Sequence, residues 1–192
     1  MRHRVFGSLL LFLLLAGSAA AEEYWLDPAV GSDSVYFRST AKLEFIEGET
    51  GDLVGGFTFD PENPTGPVSG TLRVDLRTLR TGIETRDGHM RENHLNTDEY
   101  PYAYFELAGV EGMPSTLQPD STYKVLGLGY FYIRGVKRAL TADLDLRVTG
   151  EQIDAKASFR IQLDDYEIPR PKALFLKLAE TIEVEVILSG YN

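Results

Sequence analysis

Cysteine is absent from the 192 residues of this chain. The protein therefore forms no disulfide bond, no thiolate metal site and no iron–sulfur cluster, and it has no cysteine nucleophile. Histidine is scarce, with three residues, and the sequence contains no Gly-x-Ser-x-Gly motif. Because these absences remove most of the usual hydrolytic and metal chemistry, we expect neither an enzyme nor a protein with a metal or a cofactor.

An excess of basic residues is also missing. Lys and Arg number 19 against 29 Asp and Glu, which gives a formal net charge of −10. Proteins that bind nucleic acids gain affinity when cationic side chains neutralise phosphates. We therefore expect no nucleic-acid partner.

The sequence has no apolar run of the roughly 20 residues that a membrane-spanning helix needs. Its longest apolar run, residues 5–15, follows Arg2 and Arg4 and precedes three alanines that end at Ala21. A basic start, a short apolar run and small residues predict a secretory signal peptide over 1–21, rather than a buried first helix. Cleavage would leave a periplasmic protein of residues 22–192 with a net charge of −12, since it removes two arginines and no acid.

Alternation of apolar and polar residues dominates the remaining chain. It is clean over residues 71–77, 142–148, 153–163 and 182–188, and weaker over 35–45, 53–59, 102–110 and 123–133. A period of two is typical of strands with one dry face and one wet face. The pattern predicts eight antiparallel strands in one domain.

Turn and helix signals complete the organisation. Thr149-Gly150 separates two clean strands and predicts a tight hairpin. Residues 81–101 are polar and rich in helix formers, which predicts one short helix over 85–95 with Thr85 as its N-cap.

Eight amphipathic strands form either a sandwich or a barrel. Runs of about ten residues, such as 68–78 and 152–163, favour a barrel because long strands can curve around it. The interior of an eight-stranded barrel is just wide enough to be filled by side chains or to hold one small ligand. Alternation alone is also typical of a packed core, so at this point both interiors stay open.

Several blocks of the sequence resemble the YceI family of exported, lipocalin-like barrels that bind polyisoprenoids. The blocks are residues 25–28, 54–61, 69–76, 81–83, 86–90, 123–127 and 135–137, with Leu95, Tyr100, Pro101 and Phe105 at matching positions. The most specific string is Arg-Asp-Gly-His-Met at residues 86–90. The resemblance spans essentially all of residues 22–192.

The resemblance implies an antiparallel barrel whose lumen holds a polyisoprenoid such as a prenyl quinone or prenyl phosphate. For the 81–101 segment, the functional interpretation is a lid over the barrel mouth, with Met90 and Leu95 facing the ligand and Arg86 meeting a phosphate or a quinone oxygen. In the alternative, Arg86 and Asp87 form a structural ion pair and His89 is exposed. The expected ligand-binding residues are Phe37, Phe45, Phe57, Leu72, Val74, Leu76, Arg86, Met90, Phe105, Leu107, Phe131, Leu144, Leu146, Phe159 and Ile161.

Other functions compete with this one. The lumen could instead bind a fatty acid or its amide, or the chain could be a periplasmic stress or interaction protein with a solid core. An enzyme would depend on His89 or Arg86. A metal at His89 and His94 is disfavoured because five residues place these side chains about 140° apart around a helix. Apolar residues on both faces of 123–133 suggest a possible homodimer.

Overall fold

A computed structural model of the chain describes residues 21–27, 33–40, 45–170, 172–173, 176–177 and 180–192. The predicted signal peptide, residues 1–21, lies outside this part of the chain except for Ala21. Among the described residues, no helix is both long enough and apolar enough to cross a membrane.

Ten strands form the main sheet, and a small hairpin of two strands lies between the last two of them in sequence. The hairpin pairs β10 (Lys172–Ala173) with β11 (Leu176–Lys177). The main strands are β1 (Glu22–Leu26), β2 (Ser34–Thr40), β3 (Phe45–Thr50), β4 (Leu53–Phe59), β5 (Ser69–Asp75), β6 (Tyr102–Glu111), β7 (Thr122–Ile133), β8 (Val136–Thr149), β9 (Gln152–Gln162) and β12 (Thr181–Tyr191).

Strand β12 closes the main sheet into a barrel. One of its edges pairs with β9, and its other edge pairs first with β2 and then, at Gly190 and Tyr191, with β1. Strands β1 and β2 pair with successive parts of the same edge of β12, so together they occupy one position around the ring. Strands β4 and β3 pair with β1 and β2 in turn and together occupy the next position. The fold is therefore a closed eight-stranded antiparallel barrel with a short helix, as predicted.

The alternation places apolar side chains inside and charged ones outside. Leu144, Ala157 and Val186 are direct cross-strand partners on β8, β9 and β12, and all three line the interior. The next residues along β9 and β12 carry outward charges, and Lys156 contacts Glu185 at 2.8 Å. Exposed ion pairs of this kind add little stability, so burial of the apolar face is the main source of the barrel's stability.

The strand expected over residues 35–45 is wrong as a single element. Strand β2 ends at Thr40, β3 begins at Phe45, and the two pair antiparallel. The break changes which residues of β3 point inward, so Ile46 lines the interior while Phe45 is 69% exposed. Residues 68–78 also differ from the expectation, because β5 ends at Asp75 and a 3-10 turn, Leu76–Thr78, follows.

The predicted helix exists with a different start. The helix α1 spans Glu84–His89 after Ile83, and no side chain caps its first turn. Thr85 lies inside α1 rather than at its N-cap, so that prediction is wrong. The segment continues as a π-helical turn, Met90–Leu95, and ends at Asn96, whose φ of 51° is left-handed.

Two tight hairpins connect the strands β7, β8 and β9. The hairpin between β8 and β9 has only Gly150 and Glu151 between its strands, as expected from Thr149-Gly150. The hairpin between β7 and β8 places Arg134 and Gly135 at φ values of 52° and 77°. Two consecutive positive φ angles match the twist of a two-residue hairpin.

Candidate functional site: an apolar cavity in the barrel

The interior of the barrel holds a cavity of about 750 Å³ within the described part of the chain. Ligand cavities are typically ~300–1,000 Å³ and predominantly apolar, with a few polar groups that orient the ligand. Of the residues expected from sequence to contact a ligand, all but Phe45 line this cavity. They are Phe37, Phe57, Leu72, Val74, Leu76, Arg86, Met90, Phe105, Leu107, Phe131, Leu144, Leu146, Phe159 and Ile161.

One end of the barrel, which we call the apolar end, is filled by packed aromatic and aliphatic side chains. Tyr24 has no exposed surface, and its ring stacks on Phe57 with centroids 5.3 Å apart and planes 7° from parallel. Phe59, Val68 and Ile153 are buried in the same cluster. Gly190 permits this packing because a Cβ there would lie 2.9 Å from the Phe57 ring.

The other end, which we call the helix end, is covered by α1 and the π-helical turn. Thr81 follows Arg80, which pairs with Glu49 of β3, and it bonds to α1: its N–H and its hydroxyl donate to Asp87 Oδ1 at 2.8 and 2.5 Å. Arg86 Nε donates to Thr81 Oγ1 at 2.8 Å, and Arg86 Nη2 donates to the Thr81 carbonyl at 2.9 Å. Asp87 is buried. Arg86 and Asp87 thus both bond to Thr81, which is a structural role of the kind weighed for them from sequence.

Residues 163–170, which follow β9, contact this helical cover and the barrel. His94 Nδ1–H donates to the Pro169 carbonyl at 2.8 Å, and Arg134 Nη1 donates to the Glu167 carbonyl at 2.6 Å. Tyr166 is buried against Phe131 with ring centroids 5.5 Å apart, and this burial raises the pKa of its phenol. The bond from His94 joins the two segments, whereas the Arg134 and Tyr166 contacts join residues 163–170 to β7 and to the β7–β8 hairpin.

Most polar side chains on the cavity wall belong to the helix end. They are Thr81, Thr85, Arg86, His89, Asn93 and His94. His89 is exposed at this rim, as the structural alternative expected, and Met90 and Leu95 also line the cavity. The cavity therefore has an amphipathic axis, with an apolar tunnel and a polar mouth.

Ser39 was missed from sequence, although the signal was present. Val35, Phe37 and Ser39 alternate along β2, and all three line the cavity. Ser39 is only 2% exposed. A lone hydroxyl in phase with two apolar inward residues was the available clue.

The described residues contain no group of three or more histidine, aspartate or glutamate side chains placed to hold a metal ion.

The outer face of β7 carries the apolar and aromatic side chains expected there, including exposed Leu126 and Tyr130. Lys137 lies 4.2 and 4.6 Å from the ring centres of Tyr130 and Tyr132. Hydrogen bonds from Tyr132 and from Lys137 lower the pKa of the Glu106 carboxyl on this face. The homodimer stays a prediction.

Comparisons with known proteins agree with this architecture. A family model described as a YceI-like domain matches residues 24–189. A UPF0312 protein of Yersinia pestis (strain Pestoides F) is 28% identical over 192 residues, covering 95% of this chain and 92% of its own length. A UPF0312 protein of Yersinia enterocolitica is 27% identical, with 92% of this chain and 89% of the relative covered.

Two solved structures share the fold. BcnA of Burkholderia cenocepacia superposes with a TM-score of 0.71 at 16% identity, covering 85% of this chain and 98% of that one. A polyisoprenoid-binding domain from Saccharophagus degradans superposes with a TM-score of 0.67 at 19% identity, covering 88% and 97%. At these identities the likeness is evidence for the fold alone.

Proposed function

The chain belongs to the YceI-like domain family, and from this premise we propose that it binds a polyisoprenoid, such as a prenyl quinone or prenyl phosphate, inside its barrel. The function is sequestration or transport of the lipid rather than catalysis. The ligand's apolar tail occupies the lumen towards the apolar end, and its polar head lies towards the helix end. The signal-peptide pattern of residues 1–21 supports export of the protein to the periplasm.

The cavity is the single observation that carries this proposal. Voids larger than a water molecule are few in protein interiors. Cavities made by truncating core residues cost about 24 cal/mol per Å³. An interior space of about 750 Å³ is therefore far larger than the packing defects of an ordinary core. A barrel that keeps such a space open is best explained by a ligand that fills it.

The apolar walls favour a long hydrocarbon tail over a polar ligand. Burial of apolar surface is worth about 25 cal/mol per Å², so a tail that fills the lumen gains affinity without directional contacts. Polar ligands would instead leave their groups without hydrogen-bonding partners, since the walls between the two ends are almost wholly apolar.

Lipid extraction tests the proposal. The full chain is purified from bacteria without detergent, extracted with organic solvent and analysed by mass spectrometry, with native mass spectrometry giving the stoichiometry. We expect one isoprenoid per protein. A fatty acid or fatty amide at that stoichiometry would replace the isoprenoid reading, and the proposal is wrong if the protein contains no lipid and takes up no added prenyl quinone or prenyl phosphate.

A substitution that fills the lumen with a protein side chain gives a second test. Ala157 faces inward between Leu144 and Val186. We expect Ala157→Phe to block lipid uptake while leaving the delipidated protein at least as stable as wild type, because the ring enters empty space. If the interior were already packed, the same ring would cost about 1–3 kcal/mol. Ser158→Phe, which adds the ring to the outer face of β9, is the matched control and should leave uptake unchanged.

A further inference from the structure

The cavity runs along the whole inner face of β9, whose inward side chains all line it: Ile153, Ala155, Ala157, Phe159 and Ile161. Ile161 belongs to the buried cluster at the helix end, and Ile153 belongs to the cluster at the apolar end. The eight residue steps between them span about 27 Å along the strand. Since barrel strands tilt by about 35–45° from the axis, the cavity extends roughly 20 Å along the barrel axis.

Phe57 lies at the boundary between this cavity and the packed apolar end. It lines the cavity, and its ring stacks on Tyr24, which has no exposed surface and is not among the described residues that line the cavity. Phe59, Val68 and Ile153 also contact the cavity, but they are nearly fully buried, whereas Phe57 is only partly buried. The Phe57 ring therefore separates Tyr24 from the cavity and is a main surface with which the apolar end meets it.

Glycines adjoin Phe57 on two other strands. A Cβ at Gly190 of β12 would lie 2.9 Å from two carbons of the Phe57 ring. At Gly70, the cross-strand partner of Phe57 on β5, a Cβ would lie 2.6 Å from the Cβ of Phe57. Because neither glycine has a side chain that could move into the space of the ring, removal of the ring would lengthen the cavity as far as Tyr24.

We propose that the apolar end is a fixed stop for the ligand's tail, with Phe57 as the side chain that the last carbon atoms of the tail meet. The inference rests on the proposed function and adds to it a limit on the length of the isoprenoid. An extended peptide spans about 3.3–3.6 Å for three backbone bonds, so an extended isoprene unit, with four, spans roughly 5 Å. A tail of about four isoprene units therefore fills the roughly 20 Å between the helix end and Phe57.

A mixture of prenyl alcohols tests the proposal. Delipidated protein receives an equimolar mixture of the alcohols with three, four, five and eight isoprene units in a cyclodextrin carrier, and native mass spectrometry measures the bound amount of each. The wild type should bind at least about tenfold more of the four-unit alcohol than of the eight-unit alcohol. Comparison of variants in the same mixture cancels the differences in solubility between the alcohols.

Phe57→Ala should extend the limit by about one unit, because it removes six ring carbons and an isoprene unit contains five. Each buried methylene group is worth about a fourfold gain in affinity. We therefore expect the bound ratio of the five-unit to the four-unit alcohol to rise at least about tenfold above the wild-type ratio. Phe57→Leu removes less of the side chain and keeps part of the packing. It should raise the ratio by a smaller factor, and it provides the test if Phe57→Ala does not fold.

Phe159→Ala is the matched control. It removes the same ring from the side wall of the cavity, where Phe159 packs against the buried cluster at the helix end. Because this change widens the cavity without moving the stop, the bound ratio of the five-unit to the four-unit alcohol should stay within about twofold of the wild-type ratio.

The outcomes separate this inference from the proposed function. If the wild type binds none of the alcohols, the proposed function is wrong, and the inference falls with it. If the wild type binds the eight-unit alcohol as well as the four-unit alcohol, the apolar end is not a stop. An unchanged ratio in both variants of Phe57 would exclude this residue as the limit. An equal rise in Phe159→Ala would show that the volume of the cavity, rather than a stop at its end, selects the tail. Each of the last three results overturns the inference and leaves lipid binding intact.

Discussion

The two ends of the barrel are closed by different means. At the apolar end, Tyr24 and Phe57 stack within a cluster of buried side chains that belong to the strands and the loops between them. At the helix end, hydrogen bonds to Thr81 and to the Pro169 carbonyl hold α1 and residues 163–170, and Leu95, Tyr166 and Ile168 are buried in a second apolar cluster. The apolar end is therefore closed by side chains of the strands and their loops, whereas the helix end is closed by a cover that combines directional bonds with its own apolar contacts.

The difference suggests which end admits a lipid. Opening the apolar end would expose tightly packed aromatic surface, whose burial stabilises the whole barrel. Moving α1 and the π-helical turn away from the helix end would break a few hydrogen bonds, each of which contributes only about 0.5–1.5 kcal/mol net, and would expose one buried side chain of this segment, Leu95. We therefore expect ligand entry at the helix end, where the polar rim residues also lie.

The largest expected change in the free energy of unfolding comes from a substitution that disrupts the apolar end. Tyr24→Ala removes a ring with no exposed surface, and truncation of large aromatic core residues costs about 3–5 kcal/mol. We expect a loss of that size in urea denaturation of the delipidated protein. Trp25→Ala is the matched control, because Trp25 is the next residue along β1 and its side chain is 59% exposed. We expect this substitution to lower the free energy of unfolding by less than about 1 kcal/mol. Equal losses would mean that the apolar end is not a core.

The next effect concerns the helix end. Asp87→Ala removes the buried acceptor of two hydrogen bonds from Thr81, and a lost buried acceptor costs about 1–3 kcal/mol. We expect faster amide hydrogen exchange over residues 81–95 and faster release of bound prenyl quinone, with the barrel strands still protected. Glu84→Ala, an exposed acid of the same helix, is the control. If Tyr24→Ala accelerates the release of prenyl quinone and Asp87→Ala does not, the ligand enters at the apolar end.

The sequence predicts the regular part of this molecule well. Where strands alternate without interruption, as in β8, β9 and β12, a period of two determines which residues point inward, and Leu144, Phe159 and Ile161 line the cavity as expected. The prediction for Phe45 is wrong because the alternation was carried across the break between β2 and β3, and this break changes which residues of β3 point inward. Strand β1 was not predicted, since its short pattern is visible only once β4 and β12 lie beside it.

The site is harder to predict than the fold. Alternation cannot distinguish a packed core from a cavity, because the volume of the interior depends on how eight strands tilt and close. The hydrogen bonds of Thr81 could not be predicted from the sequence either. The sequence favours Thr85 as the N-cap of α1, but the side chains of Arg86 and Asp87 bond to Thr81 instead. Ser39 was overlooked because a single hydroxyl in a strand is ordinary until its surroundings are known.

The smallest effect distinguishes the two ends by pH. Burial first, and then the hydrogen bond to Glu22, raise the pKa of Tyr24 strongly above its ordinary value, while burial raises the pKa of Tyr166 at the helix end. A raised tyrosine pKa means that the folded protein keeps a proton which the unfolded chain releases. Its contribution to stability is therefore complete below about pH 10 and is lost as the pH rises further.

Each such tyrosine lowers the free energy of unfolding by about 1.4 kcal/mol per pH unit above pH 10, until its folded-state pKa is reached. Tyr24→Phe should therefore flatten the alkaline loss of stability, measured by urea denaturation between pH 9 and about pH 11.5. Tyr166→Phe should flatten it less, since Tyr24 has the hydrogen bond to Glu22 in addition to burial, whereas burial is the leading cause of the raised pKa at Tyr166. A larger effect at Tyr166 would show that the helix end, and not the apolar end, is the more firmly dehydrated part of the barrel, and would reverse the comparison between them.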